Sequence, residues 1–78
     1  MSEVRTIHNH AMLCYDQAMM YERRGERGVA LAYMRQAADA EQRALETTPE
    51  GAEPTRSILR DSVASMRAHV ARLEEPTP

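Results

Sequence analysis

Ile7, Ala11, Cys14, Ala18 and Tyr21 recur at alternating spacings of four and three residues, which aligns them on one face of a helix. The same alternation returns in Leu59, Val63, Met66, Val70 and Leu73, with Ile58 on one flank and Ser62 and His69 interrupting the face. Between these segments Ala30, Leu31, Met34, Ala37, Ala38, Ala44 and Leu45 form an arc opposite Arg35, Gln36, Asp39 and Arg43. Gly25 and Gly28, Pro49 with Gly51, Pro54, and Pro76 with Pro78 punctuate the chain. The pattern therefore predicts helices from about Val4 to Arg24, from about Glu26 or Val29 to Glu46, and from about Pro54 to Glu74. Pro54 suits a first helical turn, where its missing N–H costs nothing. No period-two alternation lasts long enough for a strand. Short connections force neighbouring helices antiparallel, so the expected fold is an all-α, up-down-up three-helix bundle. Residues 1–75 form one domain in this reading and 76–78 a disordered tail.

Two features do not fit a self-contained bundle. On the first helix Val4, Met12, Tyr15 and Met19 widen the apolar arc to about 180°, and Leu13 and Met20 still fall outside it at a spacing of seven. Leu13, Met20, Met12 and Met19 are therefore the expected contacts to a partner or a second copy. Glu41 lies inside the apolar arc of the second helix, where an unpaired carboxylate would cost several kcal/mol. Arg56 is its expected partner across the seam to the third helix, with Thr55 or Ser62 as hydroxyl alternatives.

Composition narrows the classes. The chain has 78 residues, room for one small domain whose stability alone is marginal. One cysteine builds no intrachain disulfide. The opening Met-Ser-Glu-Val-Arg does not read as a secretory signal and no segment is long and apolar enough for a bilayer, so a reducing cytoplasm is expected. Ten arginines, with no lysine, balance twelve acids to a net charge of −2 and are scattered, so neither nucleic acid nor an anionic membrane is an expected partner. The absence of lysine is read as G+C-rich codon usage, typical of some bacteria.

Candidate chemistry is sparse. His10 and Cys14, four apart, stand on neighbouring turns and could bind a metal or activate the thiol, but two ligands do not close a site. Cys14 also lies on the core stripe, where a free thiol behaves as a small hydrophobe, so burial is expected. His8 and His10 point about 200° apart and read as a solvated pair. His69 reads as a partly covered packing residue with a pH switch as the alternative. The turn Arg23-Arg24-Gly25-Glu26-Arg27 reads as solvated, with an anion clamp as the alternative. No glycine-rich phosphate loop exists. No cofactor, metal site or catalytic set is expected.

Ala18, Tyr21, Gly25, Ala30 and Ala37 stand at the offsets of a tetratricopeptide helix-turn-helix unit, which the stretch from Ala18 to Ala38 resembles. The second helix runs past the usual proline position, and one unit is too few for a solenoid. With a third long helix the chain is also similar to the microtubule-interacting-and-trafficking domain, an adaptor fold that binds helical peptides in a groove. Glu53-Pro54-Thr55-Arg56-Ser57-Ile58-Leu59 resembles a segment of small bacterial tetratricopeptide-like proteins. These resemblances imply a binding or scaffolding module. The expected function is a small non-catalytic interaction module that self-associates or binds another protein's helical segment through surplus apolar surface on helix one. The alternative is an accessory or regulatory subunit of a bacterial enzyme or secretion assembly.

Overall fold

The structure, a computed structural model, describes residues 3–76 and contains three helices: α1 (Glu3–Arg23), α2 (Arg27–Thr47) and α3 (Thr55–Glu74). Residues 1 and 2 of the expected domain and 77 and 78 of the expected tail lie outside the described residues. The expected all-α, up-down-up bundle is present, with helix limits within a few residues of those read from the sequence.

Local chemistry accounts for each boundary. Gly25 has a φ of +79°, the left-handed conformation that glycine adopts without a Cβ penalty. Around it the Glu26 N–H donates to the Tyr21 carbonyl at 2.9 Å and the Gly25 N–H to the Glu22 carbonyl at 3.0 Å, the double bond of a Schellman end. Tyr21 and Tyr33 stack across this turn with ring centroids 5.6 Å apart, and the Arg24 guanidinium covers Tyr21. Thr48 closes α2, its hydroxyl donating to the Ala44 carbonyl at 2.8 Å, before Pro49 prevents continuation. Pro54 occupies the N-cap of α3, one residue earlier than a first-turn proline. Glu53 supplies what Pro54 lacks, accepting the Ser57 N–H at 3.2 Å and its hydroxyl at 2.6 Å. The Ser57 hydroxyl, and its N–H more weakly, hold the Glu53 carboxyl below the usual carboxylate range.

α2 is the central element. It packs against α1 on one side and α3 on the other, while no Cα of α1 comes within 8 Å of one in α3. The α1–α2 seam is lined with fully buried alanines, Ala11 and Ala18 facing Ala30, Ala37 and Ala44, and small residues let helix axes approach closely. Met34 and Met66 fill the core at the Gly25 end with Ala38 and Leu73, and Ile7, Ala40 and Leu59 fill it at the other. Cys14 is buried at 6% exposure, within the first of these clusters.

Two arginines join α2 to α3 at opposite ends. Arg27, in the first turn of α2, donates to the carbonyls of Leu73, Arg72 and Glu75 at 3.0, 2.7 and 3.0 Å, capping the C-terminus of α3. Arg56, in the first turn of α3, donates to the Thr48 carbonyl at 2.8 Å and the Leu45 carbonyl at 3.4 Å, capping α2. Each cation meets the negative end of a helix dipole. Arg27→Met keeps the stem but removes these bonds, and is expected to cost about 1–2 kcal/mol in chemical denaturation. A change below about 0.5 kcal/mol would mean that water replaces the guanidinium without loss.

Candidate functional site

Glu41 lies on the floor of the valley between α1 and α3 and is fully buried. His8 of α1 donates from Nδ1 to Glu41 Oε1 at 2.8 Å, with Oε2 at 3.0 Å, and Ser62 of α3 donates its hydroxyl to Oε2 at 2.6 Å. The valley is thus closed over Glu41 by one side chain from each flanking helix. No arginine reaches this carboxylate among the hydrogen bonds and ion pairs of the described residues.

The expected Glu41–Arg56 pair is not formed. The antiparallel register sets Glu41 opposite Ser62 and sets Arg56 beside Thr48, nearly two turns further along α2. There the open carbonyls at the end of α2 take the guanidinium. Arg56 also stands about 240° around α3 from Ser62, on the flank away from α1. Thr55 makes no bond to Glu41; it is exposed and lines a groove instead. Of the three expected partners, Ser62 alone meets the carboxylate.

His8 is likewise not the solvated residue expected: its side chain is 38% exposed and bound to Glu41. The sequence held a signal for this pairing. Glu41 follows Gly25 by 16 residues and His8 precedes it by 17, so a hairpin folded at Gly25 brings them level. His10 remains exposed, with its Nε2 3.7 Å from Cys14 Sγ. The thiol itself donates to the Gln36 side-chain carbonyl at 3.9 Å. Among the described residues no group of three or more His, Cys, Asp or Glu is placed to hold a metal ion.

His69 makes the second tie between α1 and α3. Arg72 donates to its Nδ1 at 3.1 Å, so Nε2 carries the proton that His69 donates to Glu22 at 2.7 Å. In the Arg23–Arg27 turn, Arg24 lies over Tyr21 and Arg27 is committed to the α3 carbonyls, so the turn does not present a convergent set of cations.

Between the N-terminal halves of α1 and α3 the valley stays open as a groove of about 420 Å³. Val4, Ile58 and Leu59 form its apolar walls, with Arg5, His8 and Thr55 along the polar edge. Asn9 completes the lining, which contains no acidic side chain. Ile58 is 61% exposed here. Further along α1, the expected contacts Met12 and Met19 are partly buried and, with Tyr15, pack on the core. Met20 is half-buried, while Leu13 is 66% exposed.

The Ser62–Glu41–His8 order differs from a nucleophile relay. The serine gives its proton to the carboxylate and not to the imidazole, so the histidine does not activate the hydroxyl. The arrangement ties three helices around one buried charge and leaves one edge of the imidazole toward the groove. Comparison of the chain with protein-family models, with curated proteins and with solved structures returned no match.

Proposed function

We propose that the protein is a small, non-catalytic interaction module whose α1–α2 hairpin is tetratricopeptide-like, and that it binds a helical segment of another protein. The observation that carries this reading is Ile58, a large aliphatic side chain left 61% exposed on the wall of a groove between two helices. A helix laid in such a groove buries apolar side chains at intervals of three and four residues on both walls at once. A bacterial cytoplasm, and a place as an accessory subunit of an enzyme or secretion assembly, accord with this reading.

Self-association is the second reading, favoured by Leu13, which is 66% exposed on α1. Light scattering of the wild type, Leu13→Gln and Ile58→Gln across a wide concentration range separates the two. Self-association expects a dimer that Leu13→Gln dissolves, whereas helix binding expects a monomer whose partner, pulled down from a cell extract, is lost with Ile58→Gln. A monomer at every concentration, with a pulled-down set that neither substitution changes, would overturn both.

A further inference from the structure

We draw no further inference here: the strongest candidate, the open groove walled by Val4, Ile58 and Leu59 between the N-terminal halves of α1 and α3, is an unpartnered apolar surface, and nothing in the structure shows what covers it.

Discussion

Glu41→Ala is expected to lower stability by about 3 kcal/mol, while Glu41→Met stays within about 1 kcal/mol of wild type. Alanine removes one methylene and the carboxylate from a fully buried position, leaving a void between α1, α2 and α3. It also removes the shared acceptor of His8 and Ser62. Methionine has nearly the same length and refills the space, and exchange of a buried charge for a well-packed apolar group is often neutral or stabilising. His8 and Ser62 are both partly exposed and regain water in either variant. His8→Ala probes the other side: the carboxylate stays buried with Ser62 as its remaining donor, at an expected cost of about 1–3 kcal/mol, reduced because the vacated space admits water. Urea unfolding followed by circular dichroism measures all three. Equal losses for alanine and methionine would mean that the charge, and not the filled volume, stabilises the centre. For a chain of 78 residues the total stability is roughly 4–12 kcal/mol, so the alanine variant loses a large share of it.

Ala37→Leu is expected to be at least as damaging. Ala37 has no exposed surface and stands in the α1–α2 seam with Ala11, Ala18, Ala30 and Ala44, all equally covered. Three added carbon atoms have no space there and force the two helices apart along their closest approach. Overpacking of this kind costs about 3 kcal/mol, enough to lower the melting temperature by roughly 10–20 °C in a domain of this size. Ala32→Leu, on the exposed face of the same helix, adds the same atoms and is expected to change stability by less than about 0.5 kcal/mol. Thermal melts of the two variants that superimpose would show that the seam is loose, contrary to the packing described.

The helices and most core positions are legible in the sequence because one periodicity governs them. Ile7, Ala11, Cys14, Ala18, Leu59, Val63, Met66 and Leu73 all repeat at the helical interval and all are buried. The hairpin turn is legible for a different reason, since Gly25 supplies a left-handed residue where α1 must stop. The central tie is half legible. Glu41 stands out as a charge among alanines, but choosing its partner requires the register of two hairpins at once. Counting outward from Gly25 leads to His8, a residue that by its type reads as solvated. Arg56 has the right charge and the wrong height, and height depends on how tightly the loop before α3 returns the chain. The groove is least legible, because it depends on the distance between α1 and α3, which no periodicity encodes. That distance follows from the width of α2 beneath them and from the bulk of Met12, Tyr15 and Met19 in the valley.

The reciprocal arginine caps make α2 and α3 a matched pair in length. α2 has 21 residues and α3 has 20, and each ends where the guanidinium from the start of the other can reach its last carbonyls. Deleting one residue midway along α3 would draw its end back by about 1.5 Å and rotate everything beyond the deletion by about 100°. Arg27 would then face a different set of carbonyls, and Met66 and Leu73 would turn out of the core. An inserted residue is consequently expected to be tolerated between Pro49 and Pro54, outside both clamps, and not within α2 or α3. The α2–α3 pair thus acts as a fixed ruler, and urea unfolding of insertion variants at the two kinds of position measures how rigid it is.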